Sequence, residues 1–277
     1  MTTRRESERL LSVQSTSSCV LRDDQWELIK PLLPVSKSGQ GRGGRPRRVC
    51  LRQVVDALLY LLVCGCPWRL LPPHFPHPRT VYGYFRAWQE DGTWQRVHDV
   101  LRAKVRQRAG RHKHASAGSI DSQSVSMRGG QGERGYDGAK HKVGRKRHLC
   151  VDTLGLLLHL VVTPANVSDT AGAVQLLGHL RRGRGVAKKL RRLWVDGGYF
   201  NAAKDKAKKQ RLELCVVERD KEQKCFKPLP KRWVIERTFA WLGKCRRLVR
   251  DYETTTQSSH AFILLAMIRI MLNRFSN

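Results

Sequence analysis

Three acidic residues stand where phosphate chemistry would need them. Asp121 lies at a short β-prone run, SIDSQSV (119–125), Asp196 ends a second run (191–195) directly before Gly197 and Gly198, and Glu236 sits on a helical segment starting at Lys231. Ligands of α/β sheets collect at strand ends, and two glycines after an acid leave room for a metal ion or a close backbone. On a 3.6-residue period Arg232, Glu236, Ala240, Gly243 and Lys244 share one helix face, so small residues flank the acid and let it approach a sheet end. Three such carboxylates can hold two Mg²⁺ or Mn²⁺ ions roughly 3.5–4 Å apart, activating a water or a 3′-hydroxyl and stabilising the leaving oxygen of an in-line phosphoryl transfer. Hard oxygen ligands suit those ions better than zinc. Spacing alone leaves the alternative open: any basic α/β chain offers some triple of acids, and a Glu on an Arg-rich helix is commonly an ion-pair partner.

The elements that would position these acids read as two parts. Residues 1–20 are polar and Ser-rich, a disordered lead-in. A helix over 23–33 is closed by Pro34, and a Gly-rich basic loop (36–48) carries Arg42, Arg45, Arg47 and Arg48, as a solvated linker or a phosphate contact. A densely apolar helix runs from Leu51 to Cys64 and is ended by Pro67. A rigid turn with four prolines (68–78) follows, then a helix capped by Thr80 and another over 93–108. Helix, turn and helix over 21–110 suit an all-helical, helix-turn-helix-like DNA-binding domain, with arginines as the readers and Phe85 and Trp88 as its core. Composition changes over 109–118, and 116–277 reads as a mixed α/β domain: a strand at 119–125, a hairpin (146–152 and 156–163) turning at Thr153–Gly155, a helix capped by Ser168 or Asp169, strands at 191–195 and 212–217 around a basic helix, and helices over 231–248 and 256–274.

The chain has 277 residues with 53 Lys plus Arg against 23 Asp plus Glu, a formal charge of +30. So large a surplus attracts polyanions and disfavours the small-substrate enzyme classes. It is spread along the chain, 21 basic against 9 acidic residues up to 115 and 32 against 14 after, so both parts are expected to face nucleic acid. The eight cysteines form no CxxC pair or zinc spacing and read as reduced thiols. With no apolar leader and no apolar run near the roughly 20 residues of a membrane span, a cytoplasmic, nucleoid-associated protein is expected.

Longer segments carry a family resemblance: GRGGRPRR (41–48), CPWRLLPPHFPHPRTVYGYFRAWQEDGTW (66–94), IDSQSV (120–125), RGYDGAKHKVGRKRHLCVDTLGLLL (134–158), ANVSD (165–169), VDGGY (195–199) and RWVIERTFAWLGKCRRLVRDYE (232–253). Together and in this order they resemble bacterial insertion-sequence transposases of the DDE class, specifically insertion-sequence family five. The resemblance implies a ribonuclease-H-like catalytic domain with Asp121, Asp196 and Glu236 as metal-binding acids, Asp121 bridging two ions and each of the others completing one site. It also implies an amino-terminal helical domain that helps bind the element's inverted ends, double-stranded DNA as partner, and a homo-oligomer on DNA with no membrane. The implied activity is metal-dependent end cleavage followed by joining of the 3′-hydroxyl to target DNA. A nuclease that does not join, or a relic that only binds DNA, are the rivals.

The related family-four signature places Tyr, Arg, Glu and Lys with gaps of two, three and six residues. Arg232 and Glu236 fit it, Leu229 stands at the Tyr position and Gly243 at the Lys position, with Lys244 one residue late but on the same broad side of the helix. Lys140, Lys142, Arg145, Lys146 and Arg147 lie between the first acid and the hairpin and are expected to bind phosphate, with Arg232 and Lys244 as further DNA contacts. Tyr136 and Asp137 read as turn chemistry in a Gly-rich loop, and His141, His148 and His159 as strand or DNA-facing residues.

Overall fold

The computed structural model describes residues 20–35, 48–127, 132–182, 186–197, 200–217 and 232–275. Arg42, Arg45, Arg47, Gly198 and Leu229 lie outside them. The amino-terminal helices are α1 (Asp23–Ile29, continued by a 3₁₀ turn), α2 (Leu51–Cys64), α3 (Pro78–Glu90) and α4 (Thr93–Arg108). Helix α2 stops at Gly65, whose φ of +70° only glycine adopts cheaply, so Pro67 lies beyond the terminus rather than causing it. Helix α3 begins two residues before the expected cap at Thr80: Pro78 takes the first turn and the His77 ring accepts the Arg79 N–H.

The sheet follows as β1 (Ala117–Ser126), β2 (Gly135–Asp137), β3 (Lys142–Asp152), β4 (Leu157–Pro164), β5 (Arg192–Val195) and β6 (Glu213–Val216), with α5 (Asp169–Arg182) after β4 and α6 (Phe200–Lys209) between the last two strands. Strand order is β2-β3-β1-β5-β6 with β4 also on β3. The β1, β3 and β4 ladders are antiparallel, whereas β5 runs parallel to β1 and β6 parallel to β5. The β3–β4 turn uses Gly155 at φ +78°. The helix expected over 231–248 is two helices, α7 (Trp233–Gly243) and α8 (Arg246–Val249), separated by extended Cys245. The break swings Arg247 inward, over the Phe262 ring and onto Glu253.

Helix α9 (Thr256–Asn273) is buried nearly all round, as an apolar helix without a polar face must be. It joins α1 to α4, α7 and one sheet face into a single apolar cluster, in which Phe85 stacks on Phe262 at 4.6 Å and Trp88 is 3% exposed. Phe85 and Trp88 are thus core residues. Arg106 of α4 closes on Asp152, which also accepts the Leu154 and Leu156 N–H groups, so one carboxylate ties the helical part to the hairpin. The other sheet face packs Ile120, Cys150, Leu158, Leu193 and Val195 against α5 and α6. No helix among the described residues is long and apolar enough to cross a membrane.

His148 on β3 is fully buried under α5, where a side chain at Gly172 would run into its ring. Burial holds this imidazole down to about 4. Because the unfolded imidazole titrates near 6.5, the unfolded chain binds the extra proton between pH 6.5 and 4, and folding stability falls as pH falls through that window. The expected share at pH 4.5 is about 2–3 kcal/mol. Urea midpoints of the protein and of His148→Gln at pH 7 and 4.5 check this; an equal pH-dependence in both would contradict it.

Candidate active site

Asp121 owes its position to the register of three strands. It pairs with Leu149 across the β1–β3 ladder, and the parallel β1–β5 ladder ends at Ser119 opposite Trp194. Continuing that register by two residues sets Asp196 beside Asp121, at the point where the two strands part. Since Ile120 faces α5 and α6, alternation turns Asp121 to the opposite face, the side of α7.

The amino end of α7 meets both acids. Arg232, its N-cap residue, places Nη1 2.9 Å from Asp196 Oδ2 and Nη2 4.0 Å from Asp121 Oδ2. The other Asp121 oxygen accepts the Ser122 N–H at 2.7 Å. Burial raises the Asp121 carboxyl above the ordinary range and the Asp196 charge adds to it, while the Ser122 N–H, Arg232 and Lys140 oppose the rise. A desolvated carboxylate beside a second one is a place that calls for a cation, and here the guanidinium supplies it. Glu236 is exposed on the first turn of α7, four residues from Arg232 and on its face, a spacing of about 5–6 Å between Cβ atoms. The described residues contain no group of three His, Cys, Asp or Glu close enough to hold an ion, so Asp121 and Asp196 are brought together while Glu236 stands one turn away.

The basic run splits into two kinds of residue, and the expectation of phosphate contacts is corrected for three of them. Strand β3 is interior, flanked by β1 and β4, so its side chains point into packed layers. Arg145 is fully buried: it meets Asp251 at 3.3 Å and donates to the carbonyls of Glu133, Glu253, Thr254 and Thr255. Arg147 is 1% exposed, donates to the Leu248 carbonyl and is lowered by burial to about 10. Lys146, on the opposite face, pairs with Asp169 at 2.9 Å and Asp137 at 3.2 Å. These cations are consumed inside the protein. Lys140, 3.9 Å from Asp169 and within electrostatic reach of Asp121, keeps a half-exposed ammonium, and Arg48, Lys142 and Lys244 are exposed.

Asp137 was legible only as a turn residue, yet its strand β2 joins the sheet edge and its carboxylate is buried. It accepts from Ser124 Oγ, Lys146 and the Ala139 and Lys140 N–H groups. Against the cost of burial, those donors hold it down to about 2. Asp169, at the start of α5, takes Ser122 Oγ at 2.7 Å and Lys146 in the same cluster. The YDG and ANVSD segments therefore brace β1 from the face opposite Asp121. The sequence carried no signal for it: only the sheet order puts Lys146 on an interior strand, where a cation must find acids.

Behind the site, Arg237 lies 4.5 Å from the Trp233 ring and 4.6 Å from the Trp241 ring, and Arg274 lies 4.8 Å from Trp241. Such cation–π stacking stiffens α7 where Arg232 and Glu236 project.

Residues 112–271, more than half of the chain, match a family model described as "Transposase DDE domain", and residues 21–98 match one described as "Putative transposase of IS4/5 family". The "Insertion element IS402 uncharacterized 16.2 kDa protein" of Burkholderia cepacia is 32% identical over 108 residues, 38% of this chain and 72% of that protein. The "Putative transposase for insertion sequence element IS402" of the same organism is 32% identical over 136 residues, 47% of this chain, and the match spans 64% of it, just under two thirds. A crystal structure of the Mos1 mariner paired end complex with Mn aligns over 99% of this chain and 91% of that chain at 15% identity, with a TM-score of 0.30. On the match over 112–271, the chain belongs to the DDE-domain transposase family.

Proposed function

We propose that this chain is the transposase of an insertion sequence: it binds the inverted ends of the element, cleaves them and joins the freed 3′-hydroxyl to target DNA. The observation that carries the reading is Arg232 spanning Asp121 and Asp196 at adjoining strands inside the family-matched segment. In cleavage a water oxygen bonds to phosphorus and gives up a proton as the P–O3′ bond breaks, and the leaving 3′-oxygen takes up a proton to become the 3′-hydroxyl. In joining that 3′-oxygen attacks a target phosphate and a target 3′-oxygen leaves.

The donor set fits a hard divalent ion, because Asp121 and Asp196 offer carboxylate oxygens that already share one cation. Asp121, Asp196 and Glu236 would hold Mg²⁺ or Mn²⁺, two ions in the full site, which supplies activation of the attacking oxygen and neutralisation of the leaving one. Arg232 keeps the two aspartates together before DNA arrives, and Lys140 adds positive charge for the scissile phosphate. Exposed Arg48, Lys142 and Lys244, with Arg42, Arg45 and Arg47, would hold the backbone on either side. A three-stranded antiparallel unit running into two parallel strands, with acids where they meet, supports the ribonuclease-H-like reading of 116–277. Helices α1 to α4, in 21–110, would read the ends in a helix-turn-helix-like manner. Two ends must be held at once, so the working form would be an oligomer on DNA at the nucleoid.

Incubating a labelled duplex of the element's own end with the protein and Mg²⁺ tests this. Nicks at the element boundary and products joined to a plasmid are expected, both lost in EDTA. Nicks without joined products would reduce the reading to a nuclease, and binding without either would reduce it to a DNA-binding relic.

A further inference from the structure

A second basic surface lies away from the carboxylates. Between the proline-rich turn, α3 and the 252–258 segment is a groove of about 790 Å³, lined by Trp68, Arg69, Arg79, Tyr82 and Tyr252 among others. Its ionic residues are not equivalent. Arg247 is matched by Glu253 and Arg86 by Glu90, so these pairs cancel. Arg69 and Arg79 are exposed and make no ion pair among the described residues, leaving the groove a net positive charge. Tyr82 and Tyr252 are 42% and 46% exposed, although large aromatic side chains are ordinarily covered. Trp68 meets the Tyr82 ring edge-on at 5.1 Å and is itself backed by Phe85 and Phe262, so this ring is braced from the core. Arg145 fixes the opposite wall through the carbonyls of Thr254 and Thr255.

We propose that this groove is a DNA-strand subsite, in which Arg69 and Arg79 take backbone phosphates while Tyr82 and Tyr252 stack on an unpaired base. Unpaired cations beside exposed aromatic rings, one of them braced by Trp68, are what single-stranded nucleic acid uses, since every base has a face to stack and every linkage a charge. The volume of about 790 Å³ admits a base with its sugar and phosphate but not a stretch of duplex. The subsite deepens the transposase reading and rests on it, because cutting one strand is what releases an unpaired stretch near the acids. Strand β1 measures the separation. Asp121 and Ser126 are five residues apart, about 17 Å of strand, and the Ser126 carbonyl accepts the Asp251 N–H, next to Tyr252. At 3.4 Å per stacked nucleotide the held base would lie about five nucleotides from the cut.

The test uses a 20-nucleotide single strand carrying 2-aminopurine, and a blunt duplex of the same sequence, with the full chain, Arg69→Ala/Arg79→Ala, Tyr82→Ala and Tyr82→Phe. Affinity is measured against salt. The double arginine variant is expected to flatten the log–log salt slope for the strand by about 1.4, as two lost phosphate contacts require. Tyr82→Ala is expected to lose at least about fivefold in strand affinity and to lose the 2-aminopurine quenching, which Tyr82→Phe keeps. All substituted residues are exposed, and unchanged melting temperatures confirm that the variants fold. Slopes, affinities and quenching equal to those of the parent would overturn the proposal, as would equal losses on the duplex or a preference for RNA of the same sequence. Should the parent show these strand effects yet cleave no element end, the transposase reading fails and the subsite stands; cleavage with unaltered variants gives the reverse.

Discussion

Asp121→Asn is expected to slow metal-dependent end cleavage by on the order of 10³-fold or more, about 4 kcal/mol of transition-state stabilisation, while end affinity stays within about threefold. The amide keeps the shape of the side chain and can still meet the Ser122 N–H, so β1 and its neighbours hold. What it loses is the charge. One oxygen of this residue faces Arg232, and the carboxyl is already raised by burial, so its ionised form depends on a cation close by. Asp196→Asn is expected to act similarly, because the two aspartates share the same guanidinium. Residues that act as a unit lose most of the rate on the first substitution, so the double variant is expected to be scarcely slower than either single one. Single-turnover cleavage of a labelled end, with affinity measured in parallel, reads both quantities. Cleavage by Asp121→Asn within about tenfold of the parent would remove this residue from the site.

Arg145→Ala is expected to destabilise the fold by roughly 3–5 kcal/mol, a loss that has nothing to do with DNA. The guanidinium is wholly buried and satisfies Asp251 and four carbonyls of the segments around 133 and 253–255. Removing it leaves a buried carboxylate without its cation and carbonyls without donors, each of which costs desolvation free energy. Arg145→Lys is expected to recover little, because one ammonium cannot reproduce the planar fork that serves several acceptors. The exposed neighbour provides the contrast: Lys142→Ala is expected to leave the urea midpoint unchanged and to flatten the salt dependence of DNA binding. Urea unfolding of the three variants decides the point. A stable Arg145→Ala with a flattened salt slope would restore Arg145 to the DNA interface.

These two cases mark what could be read from residue order. The candidate acids stood out because Asp196 sits between a strand and two glycines and because Arg232 and Glu236 fall one turn apart on a helix with small neighbours; the structure brings Asp121 and Asp196 together through Arg232 and leaves Glu236 exposed one turn on. Periodicity also found α2, α4, α9 and the β3–β4 hairpin, where apolar residues recur densely or a Gly turn punctuates two β-rich runs. The fate of the basic run was not legible. Arg145 and Arg147 share one face of β3 and Lys146 takes the other, but a strand started only at Lys146 made 145 look like loop. Their acids come from distant segments, Asp137, Asp169 and Asp251, which local spacing does not connect. The break between α7 and α8 was partly hidden: Gly243, where α7 ends, is a weak helix former inside the segment, but the inward turn of Arg247 toward Phe262 and Glu253 is a tertiary contact. The shared core of α9 with the amino-terminal helices is likewise tertiary: residue order predicts a helix over 256–274, and only the packing shows it buried nearly all round.

Glu236 is the decisive member of the proposed metal-holding unit of Asp121, Asp196 and Glu236, because it sits one turn of α7 from the Arg232 that contacts the other two. The measurement is the single-turnover cleavage rate of the element's end by Glu236→Gln in saturating Mg²⁺, beside that of Asp121→Asn. A loss of the same order in both, on the order of 10³-fold, with end binding retained, is the predicted result. Cleavage by Glu236→Gln within about tenfold of the parent protein would contradict it.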